Sequence, residues 1–370
     1  MTVEVSSSRV AGPILANRGA QNSSSDRGLG LLRRKRVWLG LAISVACLAF
    51  FLARTNVSEI RDSFSGANYA LAFAAVPVYF VAFWLRTMRW QALLKPIQYV
   101  PMLRLYPVTL IGLMANNIAP MRIGELVRAY LLGEREKMSK TTALGTVAVD
   151  RAFDGLTLVI TLGICLAIVG GDARVKSLGV ITALTFFAAT AVLIALAAAP
   201  NRARALVLRL ARLLPDRLQT PVEGLVDSFL SGLVAIRRPS AMLQAAVLSV
   251  ASWGAEATMY IMIGKAFHLD VGLDVFLLIT AAPNLALSIL ASPGGVGPFE
   301  VTTREVLVYF GTGSAQASAY ALALHALLLG PVIVAGFVML WVTHVSLGQV
   351  LGIGERKDDD SAVTQTSQPG

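Results

Sequence analysis

Apolar runs long enough to cross a bilayer begin near Val37, Tyr69, Ala143, Leu178, Ala241 and Ala317. An α-helix needs about 17 to 25 such residues to span the hydrocarbon core. The bilayer interior offers backbone N–H and C=O groups no partner, so a spanning segment must satisfy its own hydrogen bonds. Unbroken runs of this length do so as helices. Hydrophobic residues make up 55% of the chain and charged residues 15%, against about 25% charged in a soluble domain. The expected fold class is therefore all-α, a polytopic integral membrane protein with six full spans.

Two further apolar segments are interrupted by Pro and Gly. Asn116-Asn117-Ile118-Ala119-Pro120-Met121-Arg122-Ile123-Gly124-Glu125-Leu126-Val127-Arg128 follows the apolar run 105–113, and Ser292-Pro293-Gly294-Gly295-Val296-Gly297-Pro298-Phe299-Glu300 follows a later one. Within a membrane, non-helical backbone is tolerated only where protein buries it or where it lines a wet cavity. Two such breaks at corresponding places point to a transport site.

The formal charge of +10 follows the membrane rather than suggesting nucleic acid. Lys and Arg gather in cytoplasmic loops. Arg33, Arg34, Lys35 and Arg36 place the N-terminus inside, and Arg86, Arg89, Lys95 and Arg104 lie inside after the second run. The first broken segment starts at Arg104 and is followed by Arg122, Arg128, Arg135, Lys137 and Lys140, so both its ends read as cytoplasmic. It is expected to be a re-entrant hairpin over 105–121, turning near Asn117 and Pro120. Spans over 143–169 and 178–199 lead to the most basic loop, 200–240, whose two amphipathic runs are expected to lie in the headgroup region. A span over 241–267, a second hairpin within 275–310 entered from outside, and a span over 317–344 complete the order.

Each half then reads span, span, hairpin, span. An odd number of full spans inverts the second copy relative to the first. Pro120 and Gly124 are four apart, as are Pro293 and Gly297. The organisation expected is a disordered cytoplasmic tail over 1–32, a transmembrane domain over 33–352 and a disordered tail over 353–370. The repeats run over about 37–169 and 178–344, both termini are cytoplasmic, and the location is the cell (inner) membrane. The run after Arg36 is too long and lacks a small-residue cleavage site, so it reads as a retained span and not a signal peptide. Cys47 and Cys165 fall inside spans and offer no disulfide framework.

Charges inside spans are costly and face a partner or a wet cavity. Asp150, Arg151 and Asp154 lie at helical spacing near the start of the third span. They suit an ion-pair knot holding that span to the hairpin. They equally suit presentation of Arg151, with its planar donor fork, to an anionic headgroup. Asn116 and Asn117 can cap or donate at the first tip, and a helix starting after Pro120 would aim free N–H groups there. Gly294, Gly295 and Gly297 allow close backbone approach at the second tip. Glu125 or Glu300 can take up a proton in a dry pocket, or simply pair with Arg128 or Arg304. His325 reads as a satisfied buried histidine. Trp38, Trp84, Trp90 and Trp341 read as interfacial anchors and Trp253 as packing. No His-Glu-x-x-His helix, Lys-terminated phosphate loop or Cys-His pairing is present. No enzymatic activity, cofactor or metal is expected.

Asn-Asn-Ile-Ala-Pro-x-Arg-x-Gly-Glu-Leu-x-Arg-Ala at 116–129, Arg-Ala-Phe-Asp-Gly at 151–155 and Ser-Pro-Gly-Gly-Val-Gly-Pro-Phe-Glu at 292–300 resemble the flippase-like family. It is also called the lysylphosphatidylglycerol synthase transmembrane-region family. The likeness runs over 37–351. It implies movement of a lipid across the bilayer, an anionic phospholipid or a polyprenyl-phosphate-linked lipid. Bifunctional members add a soluble aminoacyl-transferase domain, which is expected to be absent here. By motif match the resemblance carries function to Asn117, Pro120, Arg122, Gly124, Glu125, Arg151, Asp154, Pro293, Gly294, Gly297 and Glu300. Asn116, Arg128 and Gly295 join them from the residue-level reading. The partners implied are membrane lipids with an anionic headgroup. A small-solute secondary transporter and a non-transporting scaffold for a lipid-modifying enzyme are the alternative readings.

Overall fold

The computed structural model describes residues 42, 44–51, 53, 57–119, 123–169, 173–211, 216–289 and 293–348. Among them the regular structure is helical, with no strand. In chain order the helices are α1 (Val57–Ser65), α2 (Tyr69–Leu94), α3 (Met102–Ile118), α4 (Gly124–Glu136), α5 (Lys140–Val169) and α6 (Ala173–Ala198). The order continues with α7 (Pro200–Ala211), α8 (Asp216–Gly232), α9 (Pro239–Ala266), α10 (Leu273–Ile289), α11 (Pro298–Tyr309) and α12 (Ser314–Val342). Residues 44–51 are also helical.

α2, α5, α9 and α12 are each long and apolar enough to cross a membrane. α6 and α7 meet at a bend of 103° and together make a fifth candidate. The chain is thus a multi-pass membrane protein. The expected spans from Tyr69, Ala143, Leu178, Ala241 and Ala317 coincide with these helices, which start at the same residue or slightly earlier (Ala173 for Leu178 at the widest). They start earlier because polar first-turn residues join the helix before the apolar run begins. The expected span from Val37 and both tails fall mostly or wholly outside the described residues. Leu103, Ile168, Leu243, Val250 and Trp341 stand more than half exposed on the outer surface. An apolar belt of this kind suits lipid rather than water.

Local signals set the helix ends. Asn68 caps α2, its side chain accepting from the Leu71 amide at 3.1 Å. Pro239 sits in the first turn of α9, where its missing N–H costs nothing. Ala119 is extended at φ −80°, ψ 138°, as expected of a residue before proline. That ends α3.

The boundaries of the first hairpin need correction. The segment 105–121 is not a complete hairpin. Met102–Ile118 forms one unbroken arm through Asn116 and Asn117, and the returning arm is Gly124–Glu136. The two arms pack on each other, as do α10 and α11 in the second pair. Asn is a weak helix former but does not stop a helix packed on both sides. The extended residue before Pro120 does.

α2 and α9 form the most extensive helix pair. α3 packs on α12, and α10 packs on α5. The main apolar core joins α2, α9, α10, α11 and α12 around Phe83, Tyr260, Phe299 and Tyr320, all nearly fully buried. A second core around Trp90, Leu105, Ile111 and Val147 joins α2, α3, α4 and α5. In the insert, Arg204 Nε on α7 meets Asp227 Oδ1 on α8 at 2.7 Å. Thr142 Oγ1 on α5 donates to the Ser228 carbonyl at 2.9 Å, which ties the insert to the spans.

Candidate functional site

Among the described residues, eight charged side chains from four helices meet inside the bundle. Arg89 on α2 places Nε 2.8 Å from Asp150 Oδ1 and Nη1 2.8 Å from Asp154 Oδ1. Arg128 on α4 donates from Nη1 and Nη2 to Asp150 Oδ2, each at 3.1 Å. Arg151 Nη2 lies 3.3 Å from Asp150 Oδ2 and 3.0 Å from Asp154 Oδ2, with Nη1 4.0 Å from Glu125 Oε1. Arg86 Nη2 meets Glu256 Oε2 on α9 at 2.6 Å. These four arginines face four carboxylates, so the described charges balance. A bare buried charge is costly, and mutual pairing is what makes this burial tolerable.

Aromatic rings brace the guanidinium groups. Arg86 lies 4.3 Å over the Trp253 ring and Arg128 lies 4.1 Å over Trp90, contacts that strengthen when desolvated. Trp253 Nε1 donates to Asp154 Oδ1 at 3.1 Å, and Trp90 Nε1 to Thr146 Oγ1 at 3.0 Å. Trp90 is therefore not an interfacial anchor but fully buried, and Trp253 does more than pack. Arg86 and Arg89 were counted above as loop charges. They are instead buried within α2.

The first helix break is closed by Asn116. Its Oδ1 accepts from the Gly124 amide at 2.7 Å and its Nδ2 donates to Glu125 Oε1 at 3.1 Å. A Cβ on Gly124 would stand 2.0 Å from the Gly112 carbonyl, so only glycine lets the two arms approach this closely. Pro120 and Arg122 lie outside the described residues.

The second break has a different chemistry. Gly297 adopts φ +95°, a region that favours glycine. Its amide donates to Glu300 Oε2 at 2.8 Å, half of a capping box, since Gly297 has no side chain to return the bond. Glu300 Oε1 lies 2.7 Å from His325 Nδ1, and His325 Nε2 lies 3.0 Å from the Gly294 carbonyl oxygen. Glu300 thus takes His325 as partner, while Arg304 engages Ser318 and Glu305. The turn Pro293–Gly295 packs on α3, and a Cβ on Gly294 would stand 3.1 Å from the Asn117 carbonyl. The second break thus touches the last turn of α3.

Between the two breaks lies a cavity of about 410 Å³. Asn116, Asn117, Glu125, Arg151, Asp154 and Gly294 line it, joined by Arg86, Glu256, Trp253 and His325. Leu113, Leu158, Phe186, Leu287, Leu328 and Val332 form its apolar side. Gly124, Arg128, Gly295, Gly297 and Glu300 do not line it, but Gly124 bonds to Asn116 and Glu300 to His325, which do. Nε of Arg86 and Nε of Arg151 are buried with no hydrogen-bond partner among the described residues.

Arg86, Arg89 and Glu256 are absent from the residues singled out by sequence. The signal was available. Two arginines three apart in an apolar span, and the sole acid of α9, are expensive unless paired or functional.

The family model described as Lysylphosphatidylglycerol synthase TM region matches residues 37–336. A glycosyltransferase, AglD, of Haloferax volcanii is 27% identical over 304 residues, which cover 73% of this chain and 48% of that protein. This chain therefore spans about half the length of that relative. A UPF0104 membrane protein of Methanothermobacter thermautotrophicus is 26% identical over 279 residues, covering 70% of this chain and 80% of that one.

Proposed function

This chain belongs to the Lysylphosphatidylglycerol synthase TM region family, and on that premise we propose that it is a lipid flippase or lipid transporter. Its cargo is an anionic phospholipid or a polyprenyl-phosphate-linked lipid, moved without covalent chemistry. The observation that carries this reading is the two-sided cavity between the helix breaks. Its polar side presents the guanidinium groups of Arg86 and Arg151 to a phosphate, the Arg151 side chain being about a third exposed, and its apolar side receives the first methylenes of a chain. Charge-assisted bonds to phosphate are about twice as strong as neutral ones. Because the described charges balance, a phosphate has to compete with Asp154 and Glu125 for Arg151. Binding then loosens α5 from α4, which links occupancy to helix movement.

The segments 37–169 and 178–344 act as an inverted repeat with cytoplasmic termini. Two things support this. The order span, helix pair, span recurs in α2–α5 and α9–α12, and the packing is reciprocal: α3 lies on the last helix of the second unit and α10 on the last of the first. α3 and α10 have 17 residues each, a rise of about 25 Å against a hydrocarbon core of about 30 Å. Both pairs therefore suit entry and return rather than crossing, with their breaks meeting in mid-membrane. The 103° turn from α6 to α7 lays the basic α7 along the interface.

The test is mass spectrometry of lipids that co-purify in mild detergent, followed by flux of the enriched lipid in proteoliposomes. Sugar-bearing lipids belong in the panel because one relative is named as a glycosyltransferase. One enriched anionic lipid that equilibrates faster than in empty vesicles is expected. No enrichment and no flux would reject the proposal in favour of a small-solute transporter.

A further inference from the structure

His325 sits between two acceptors. Its Nε2 faces the Gly294 carbonyl oxygen at 3.0 Å and its Nδ1 faces Glu300 Oε1 at 2.7 Å. A carbonyl only accepts, so Nε2 carries a hydrogen. A neutral imidazole protonated there has a lone pair on Nδ1, and an ionised carboxylate has only lone pairs to oppose it. The 2.7 Å contact therefore needs one more proton between Nδ1 and Oε1. Imidazolium with carboxylate, or imidazole with carboxylic acid, meets that need equally. The remaining carboxyl oxygen already holds the Gly297 amide at 2.8 Å. Both ends of the second break, the Gly294 carbonyl and the Gly297 amide, are thus fastened to α12 through one dyad. The Phe299 ring stacks on the imidazole at 4.6 Å and shields it.

The first break is fastened differently. Asn116 and the Arg128–Asp150 pair hold it, and arginine keeps its charge at any working pH. One break is tied by a permanent ion pair and the other by a pair that shares a proton.

We propose that Glu300 and His325 form a proton-binding site that latches the second helix break to α12. With the shared proton in place, the tip is closed against the cavity. Its loss sets a lone pair against a carboxylate and parts Glu300, with the Gly297 amide it holds, from His325 on α12. As a coupling device for transport the latch rests on the lipid-transport reading; as a latch it does not.

Among the described residues, the other charged groups near the dyad have partners of their own. Cys47 interacts electrostatically with Glu300 from the helical segment 44–51. Across the cavity, Arg86 pairs with Glu256, and Arg151 with Asp154 and Glu125. On α11 itself Arg304 is engaged by Ser318 and Glu305. Tyr79 lines the same cavity from α2.

The test uses the full chain in detergent with Cys47→Ala and Cys165→Ala and a single cysteine at Val296, beside the break. Maleimide labelling is measured from about pH 5 to about pH 8, the range in which histidine changes charge. Each rate is divided by that of a reference cysteine at Asp270, which removes the thiol's own titration. The ratio is expected to rise by roughly tenfold, the change in a titrating population over one pH unit beyond its midpoint. In Glu300→Gln the carboxamide donates to Nδ1 and accepts from the Gly297 amide without a shared proton, so the ratio stays low at every pH. In His325→Leu, with no donor, it stays high throughout. A flat ratio in the parent, or a pH response in Glu300→Gln equal to the parent's, overturns the proposal. Should His325→Leu fail to fold, Glu300→Gln still decides. Flux absent from proteoliposomes with the pH response intact would defeat the transport reading and leave the latch standing.

Discussion

Asp150 of α5 accepts from Arg89 of α2 at 2.8 Å with both side chains almost fully buried. Its second oxygen accepts from Arg128 of α4. One carboxylate therefore pins three helices. In Asp150→Ala both guanidinium groups lose their shared partner inside the bundle. Removing one member of a buried ion pair costs about 3–5 kcal/mol, and that loss is expected in chemical or thermal unfolding in detergent. Arg204→Ala, which removes a half-exposed pair with Asp227, serves as the control and is expected to leave stability unchanged. An Asp150→Ala protein as stable as the parent would show that the pairing does not hold the helices together.

Arg151 stands on the cavity wall, about a third exposed. Arg151→Lys keeps the charge and most of the length but loses the planar fork. Losing a charge-assisted bond to phosphate is worth about 1.5–3 kcal/mol, so lipid flux in proteoliposomes is expected to fall by roughly tenfold or more. The thermal midpoint should stay close to the parent's. Undiminished flux in a folded Arg151→Lys protein would remove Arg151 from the headgroup site.

Gly124→Ala places a methyl group 2.0 Å from the Gly112 carbonyl and 2.6 Å from Asn116 Oδ1. The arms of the first pair must separate, at a cost of about 1–3 kcal/mol, and the bond from the Gly124 amide to Asn116 is strained. Lower stability together with reduced flux is the expected result. Gly163→Ala has nothing within 4 Å, and it should be neutral or slightly stabilising. Equal stability of the two variants would show that the arms do not need this close approach.

Single cysteines at Asn117 and Val296 test the opposed insertion of the two pairs. In oriented cells a membrane-impermeant maleimide is expected to reach Asn117→Cys only from the cytoplasm and Val296→Cys only from outside. Labelling of both positions from one face would reject the inverted repeat.

The helical spans were legible because a bilayer demands the same thing of every spanning segment. Tyr69, the start of α2, could be read to the residue. The breaks were legible for a related reason, since Pro and Gly at 119–124 and 293–298 interrupt apolar runs that have no solvent to accept free backbone groups. The extent of the first returning arm was not. Gly124–Glu136 is amphipathic, and its arginines mimic a cytoplasmic loop until Arg128 is seen buried against Asp150. Trp90 misled in the same way, because an indole near a span end serves an interface or a core equally well.

Sequence alone determined that the chain lives in a membrane, that it is helical there, and that two apolar segments break at Pro-Gly motifs, because each of these follows from the local cost of exposing backbone to hydrocarbon. Only the tertiary structure decided which charges meet. Arg89 and Asp150 are separated by 61 positions and Arg86 and Glu256 by 170. No local rule links them, and the packing of α2 on α9 and α5 brings them together. The same holds for Glu300 and His325, which α11 and α12 set face to face across 25 positions. Periodicity reports which face of a helix is apolar. The partner of a buried charge is chosen by the fold, since a charge excluded from water is tolerated only where packing delivers its complement.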